Sequence, residues 1–348
     1  MSGTLRSARA LKAAGLLEDA DVDGLGEVEA RYAVAVSPHV AEGIAAGSEA
    51  LKRQFVPSRA ELRLLDSERM DPIGDGVHTV VPGVVHRYPD RVLLKPVHVC
   101  PVYCRFCFRR EQVGPQGVSL DRAQLDRAIG WIADHDGVFE VILTGGDPLV
   151  MSAARLGGLL ERLAAIPHVG VVRVHTRVPV VDPERVTPEL VSALRHPGVA
   201  TWVAVHTNHP DELTETARSA LHRLADAGIP LVSQTVLLKG INDDAHTLAT
   251  LFRQLVRDRV KPYYLHHGDL APGTGHLRTT LAEGRALMRA LRGRLSGLCQ
   301  PTYVLDIPGG HGKVPAAAPW VEATVDGGWR VRDWQGNTHR YGATDEAP

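Results

Sequence analysis

The chain has 348 residues, 44% of them hydrophobic, enough to bury a core in one large domain or two modest ones. A formal net charge of −1 gives no bulk electrostatic reason to bind nucleic acid or an anionic membrane surface. No apolar run approaches the length of a bilayer span, so no membrane partner is expected.

Residues 1–17 lack the apolar core and small-residue cleavage site of a signal peptide and read as a short amphipathic helix. A largely helical segment is expected over residues 1–85, with a proline-broken loop near Pro72 and Pro82. From there to 316, β-branched runs alternate with helical segments: 92–99, 140–143, 169–175, 200–206, 230–237 and 260–266. Most recur about every 30 residues, the length of one strand plus a crossover helix.

The helices between these runs carry clear punctuation. Thr187-Pro188 supplies a cap followed by proline at the first helical position. Gly228 and Pro230 close a helix over 214–227. A helix over 244–257 places Leu248, Leu251, Phe252 and Leu255 on one face.

Six βα units with apolar strands predict an α/β fold, an open or partial (β/α)6 barrel, with ligands at the C-terminal edge of the strands. The Rossmann glycine pattern is missing after the first strand, which argues against a doubly wound sheet. Residues 317–348 form the last unit, where alternation over 320–341 around Asp326-Gly327 and Gln335-Gly336-Asn337 predicts a small β-meander.

Three of the four cysteines, Cys100, Cys104 and Cys107, stand as C-x3-C-x2-C at the end of the first core strand. A secreted disulfide framework would spread its cysteines, so the crowding points to metal or redox chemistry in a reducing, cytoplasmic setting. Thiolates hold iron–sulfur clusters, and three of them leave one iron of a [4Fe-4S] cluster open to a small ligand. The alternative is a structural zinc site, which needs a fourth ligand from His98 or the distant Cys299.

Four more stretches follow strand ends or flank the core. Thr144-Gly145-Gly146-Asp147-Pro148 lets backbone approach a ligand closely, or is a tight turn capped by Asp147. Arg87-Tyr88-Pro89-Asp90-Arg91 is a candidate phosphate clamp, or a solvated charged turn. In the glycine-rich stretch ending at Lys313, the Walker A pattern fails because Ile307 stands at its first glycine and Val314 follows the lysine. A Schiff-base lysine fits better, with a flexible surface lysine as the alternative. Asp269 and Asp306 at strand ends are candidates to share one ammonium group, unless Asp269 merely caps a helix.

Taken together these stretches resemble the radical S-adenosylmethionine (SAM) enzymes of the lysine 2,3-aminomutase family. The likeness runs from about residue 50 to 341 and includes Gln54-Phe55-Val56-Pro57, His86 through Arg91, the cysteine loop, Asn208-His209-Pro210, Gln234 through Gly240 and the glycine-rich lysine loop, in matching order. The resemblance implies a radical SAM partial barrel with a [4Fe-4S] cluster on Cys100, Cys104 and Cys107. It implies SAM contacts at Gly145, Gly146, Asp147, His206 and Gln234. It further implies pyridoxal 5′-phosphate (PLP) attached to Lys313, with its phosphate on Arg87, Tyr88 and Arg91. Substrate carboxylate would pair with Arg109, and a lysine ε-ammonium with Asp269 and Asp306. The implied reaction moves the amino group from C2 to C3 after an adenosyl radical takes hydrogen from C3, and SAM is regenerated.

Longer members carry extra cysteines that bind zinc between subunits. Here Asp243-Asp244 occupies one such place and no cysteine follows Cys299, so no zinc is expected and a homo-oligomer is left open. His311 is unusual within the glycine loop. Lysine leads as substrate; arginine, glutamate and the β-lysine supply for elongation factor P remain alternatives. A flavodoxin or ferredoxin is the expected electron donor. Two rival readings stay open here, a non-catalytic cluster protein and a SAM-consuming enzyme without PLP.

Overall fold

The structure is a computed structural model that describes residues 3–18, 22, 24–113, 119–325 and 328–342. Its early helices are α1 (Ala8–Ala13), α2 (Leu25–Arg31), α3 (Pro38–Ala45) and α4 (Glu49–Phe55). Ser7, Ser37 and Ser48 accept hydrogen bonds from the first turns of α1, α3 and α4, satisfying amides that have no partner within the helix. The segment read as helical to residue 85 ends instead in a hairpin, β1 (Thr79–Val81) and β2 (Val84–Tyr88). Gly83 makes its turn with a positive φ of 86°.

The core then alternates as expected. It comprises β3 (Arg91–Val97), α5 (Arg122–Ala133), β4 (Glu140–Gly145), α6 (Ala153–Ala164) and β5 (Val171–Thr176). Helices α7 (Val178–Val181) and α8 (Pro188–Ala193) lead to β6 (Ala200–His206), α9 (Glu215–Asp226) and β7 (Leu231–Val236). Helix α10 (Ala245–Arg257), β8 (Val260–His266), α11 (Leu281–Leu291) and β9 (Thr302–Asp306) complete the run, and β10 (Lys313–Pro315) turns back beside β9. Thr187 caps α8 as expected, Thr214 and Asp244, read as the first residues of their helices, prove to be the caps of α9 and α10, and Leu248, Leu251, Phe252 and Leu255 of α10 are all buried.

The strands pair in chain order from β1 to β10, parallel from β3 through β9, with antiparallel hairpins at both edges. Seven parallel strands therefore stand where six were expected. The seventh, β9, is a five-residue strand that the glycine-rich stretch beyond it obscured. The sheet must curl, because residues from β2 through β10 all line one cavity. Its faces separate by alternation. Val141, Leu143, Val172, Val174, Val203 and Val205 belong to the apolar core, whereas Ile142, Thr144, Arg173, His175, Ala204 and His206 line the cavity. A second sheet of β11 (Val321–Ala323), β12 (Trp329–Arg332) and β13 (Thr338–Tyr341) is the expected meander, although Asp326-Gly327 lies outside the described residues. No helix among the described residues is long and apolar enough to cross a membrane.

The N-terminal helices matter to the core through one buried ion cluster. Glu61 has no solvent exposure (0%) and accepts from Arg105 Nε at 2.9 Å, from Arg105 Nη2 and from Arg110 Nη2. Arg110 also lies 3.5 Å over the Tyr32 ring, and Arg105 Nη1 donates to the Ala33 carbonyl at 2.6 Å. Burial alone would raise the Glu61 carboxyl, but the two guanidiniums outweigh it and hold the group below its ordinary value. Replacing Glu61 by alanine strands two buried cations. Glu61→Ala is expected to lose about 3–5 kcal/mol of stability in urea denaturation of the apoprotein. A loss under about 1 kcal/mol would mean that the pair is not what fastens these elements.

Candidate active site

The curled sheet encloses a cavity of 680 Å³. The cysteine loop covers part of it. The Tyr103 amide donates to the Ala35 carbonyl and the Arg105 amide to the Gln54 carbonyl, each at 2.8 Å, so the loop takes its shape from the N-terminal segment. Cys100, Cys104 and Cys107 are free thiols lining the same cavity. Burial raises all three, Cys107 to about 11, so ionising them together calls for a bound positive charge. Among the described residues no three His, Cys, Asp or Glu side chains close tightly around one point as they would around a single ion. A cubane needs a wider set, since each thiolate binds a different iron.

Beside the loop, the glycine turn after β4 is pressed against the strand leading to Cys100. The Gly146 amide donates to the Val97 carbonyl at 2.7 Å and the Asp147 amide to the Val99 carbonyl at 2.9 Å. A Cβ on Gly145 or Gly146 would sit 2.4 or 2.2 Å from a carbonyl oxygen of that strand, which only glycine avoids. Asp147 points inward. Its carboxylate accepts from the Leu149, Arg177 and Val178 amides and from Thr176 Oγ1. It is thus the capping residue of the alternative reading, and the two glycines are what the close approach of the neighbouring chain requires. His206 Nε2 is buried without a hydrogen-bond partner among the described residues, and its ring lies 5.5 Å from Phe106 in the cysteine loop. Gln234 faces His175 at 3.4 Å, deeper in the cavity.

A second group gathers around Asp75, which the sequence reading did not single out. This buried carboxylate meets Arg109 at 2.9 Å, Arg87 at 3.2 Å and Lys95 at 3.6 Å. Burial would raise it, but Arg109, Lys95 and Arg87 together hold it low. Three cations share one carboxylate, and two of them, Arg87 and Arg109, line the cavity, so positive charge there favours an anionic ligand. Arg87 Nε is also buried without a partner among the described residues. Arg91 stacks 3.9 Å over the Tyr88 ring, and Tyr88 Oη accepts from the Lys313 amide at 2.7 Å.

The opposite charge lies at the ends of β8 and β9. Lys313 sits on β10 in register with Asp306, not on a loose loop, and its Nζ contacts the Asp306 carboxylate and lies 3.3 Å from His266 Nδ1. The φ values of +89°, +89° and +88° at Gly309, Gly310 and Gly312 make the reversal that allows this, while His311 projects outward as an exposed side chain. Burial would raise the Asp306 carboxyl, but the His266 hydrogen bond and the Lys313 charge bring it down to about 2. Asp306 is therefore already partnered, whereas no side-chain hydrogen bond or ion pair joins Asp269 to any described residue.

Burial and the neighbouring Asp306 push Asp269 up to about 7. Between about pH 4 and 7 the folded chain keeps a proton that the unfolded chain has released, so this group favours folding most in acid and that contribution is lost as pH rises through 7. Asp269→Asn is accordingly expected to melt a few degrees above the wild type at pH 8 and level with it at pH 4, read as Tm of the ligand-free protein. Equal Tm values at pH 8 would contradict the raised carboxyl.

A family model described as the Radical SAM superfamily matches residues 94–252. The chain is 43% identical over 300 residues to the L-lysine 2,3-aminomutase of Acetoanaerobium sticklandii, covering 86% of this chain and 72% of that one. It is 40% identical over 296 residues to the L-lysine 2,3-aminomutase of Clostridium subterminale, covering 84% and 70%. The glutamate 2,3-aminomutase of Clostridioides difficile is 34% identical over 314 residues, covering 89% and 74%. With likeness of that extent added to a curled parallel sheet and three thiols lining its cavity, the chain belongs to the lysine 2,3-aminomutase family of radical SAM enzymes, a superfamily built on a [4Fe-4S] cluster and SAM.

Proposed function

We propose that this protein is a PLP-dependent amino acid 2,3-aminomutase that converts lysine to β-lysine. One observation carries the proposal: the cavity holding the three thiols also holds Lys313, the cations Arg87 and Arg109, and a carboxylate, Asp269, with no ion-pair partner among the described residues. When bound, the cluster and SAM supply a carbon-centred adenosyl radical and PLP carries the migrating nitrogen.

The chain's own part is charge placement. Cys100, Cys104 and Cys107 would hold the cluster, with the Gly145 and Gly146 backbone and His206 beside it for SAM. Arg87, Tyr88 and Arg91 would hold the PLP phosphate. The unpartnered Arg87 Nε suits that role, though the Arg87 Nη2 bonds to Ile73 and Asp75 fix its direction. Lys313 is the amine for the aldehyde. His266, held low by burial and by the Lys313 charge, faces both Asp306 and that amine through Nδ1 and helps fix their geometry. Asp75 holds Arg109 through Nε and Nη2, aiming the remaining guanidinium edge at a substrate carboxylate.

Substrate choice follows from Asp269. An ε-ammonium would relieve its isolation, while a carboxylate side chain would meet two aspartates. Binding of the ammonium draws a proton off Asp269, so the KM for lysine should rise as pH falls below about 7. Asp269→Asn should raise KM by about 10- to 100-fold, the worth of a hydrogen bond to a charged group. A pH-independent KM would contradict this assignment. The free thiols fit a reducing cytoplasm, and a flavodoxin or ferredoxin is the reductant this chemistry asks for.

Attachment of PLP is tested separately. The PLP-loaded protein is reduced with borohydride and its peptides are mapped by mass. The phosphopyridoxyl label is expected on Lys313 and absent in Lys313→Ala; labelling of another lysine, or of none, would refute the assignment.

A further inference from the structure

Arg177 follows β5 directly and points back under the cysteine loop. Its Nη1 donates to Cys104 Sγ at 3.0 Å, and its Nη2 donates to Glu212 Oε2 at 2.8 Å and to Gln54 Oε1. The side chain is 6% exposed and Glu212 is fully buried at 0%. The Phe55 and Phe106 rings lie 4.5 and 5.2 Å from the guanidinium carbon. Gln54 Nε2 closes the network by donating to Glu212 Oε1 at 3.1 Å, and Asn208 Nδ2 donates to Gln54 Oε1 at 3.0 Å. The Arg177 amide, meanwhile, donates to Asp147 at 2.7 Å. The guanidinium is thus fixed through both terminal nitrogens while its Nε is buried without a partner among the described residues, and one N–H is spent on a sulfur. A salt bridge to Glu212 alone would not require that.

We propose that Arg177 is a positioning residue that sets the reduction potential of the cluster by donating to the Cys104 sulfur. The inference rests on the proposed assignment of Cys100, Cys104 and Cys107 to the cluster. Reduction adds one electron to the cluster, supplied from outside by a low-potential donor, and the extra negative charge spreads onto the thiolate sulfurs. A donor hydrogen bond and a nearby cation both stabilise the reduced form, and both act strongly where water is excluded. Glu212 works the other way. Its charge offsets that of Arg177, so the net effect on the cluster is that of the hydrogen bond with the cation largely balanced.

Two variants separate these contributions. Glu212→Gln keeps an acceptor for the Asn208 and His209 amides but removes the negative charge, so the cluster should become easier to reduce. The double variant R177M/E212Q restores the balance of charge and leaves Cys104 Sγ without the donor. Its cluster should be harder to reduce than that of the wild type, by about tenfold in the one-electron equilibrium, or about 59 mV.

The measurement is a potentiometric titration of the reconstituted protein without SAM, followed by electron paramagnetic resonance of the reduced cluster. Iron and sulfide content are determined for each variant. Cys104→Ala serves as control: a cluster of full iron content there would overturn the cysteine assignment rather than the role of Arg177. With that assignment intact, a double variant that titrates at the wild-type potential overturns the proposal. If the double variant fails to hold its cluster, Glu212→Gln decides alone, and an unmoved or lowered potential in it overturns the proposal as well.

Discussion

Two buried carboxylates, Glu61 and Glu212, hold the cysteine loop against the rest of the protein. Glu61 ties Arg105 and Arg110, which flank the third thiol, to the N-terminal segment. Glu212 ties Arg177, beneath the second thiol, to helix α4 through Gln54. Neither is strong evidence of net stabilisation, since desolvating ion pairs costs much of what they return. Their value is geometric. A loop proposed to carry a cluster on three thiols has to keep one shape, and directional, buried bonds provide that better than apolar contact.

The cavity beneath the loop follows from strand alternation and from where polar residues interrupt it. Each parallel strand gives valines and leucines to the helices and turns its other face inward, so one sheet supplies both the core and the lining. Charge is then sorted along that lining. Cations cluster around Asp75 near β2 and β3, and carboxylates stand at the ends of β8 and β9. An α-amino acid with a cationic side chain has the complementary pattern, carboxylate at one end and ammonium at the other. Asp306 and Lys313 meet across β9 and β10, where the register sets them opposite each other.

Much of this was legible in the sequence because it is local. The βα period, the cap at Thr187 and the apolar stripe of α10 depend on neighbours in the chain. The Cys100–Cys107 spacing and the glycines at 145 and 146 likewise announce themselves. What was hidden is long-range. Asp75 lies in an irregular loop with no period to mark it, and its three partners come from separate strands and a loop. Glu61 closes a capping box with Ser58, and nothing nearby signals the two arginines more than 40 residues on. Lys313 reads as a loop lysine because β10 is only three residues long. Arg177 and His266, by contrast, were findable: both are polar residues at a parallel-strand terminus, where ligands collect in such folds.

The central claim is that one cavity couples radical generation at the thiols to nitrogen transfer at Lys313. The most direct measurement gives the anaerobically reconstituted protein, with PLP and SAM, lysine carrying nitrogen-15 at the 2-amino group. The account predicts β-lysine labelled at its 3-amino group, with many turnovers for each SAM. Lysine returned unchanged while 5′-deoxyadenosine accumulates in step with SAM loss would contradict it.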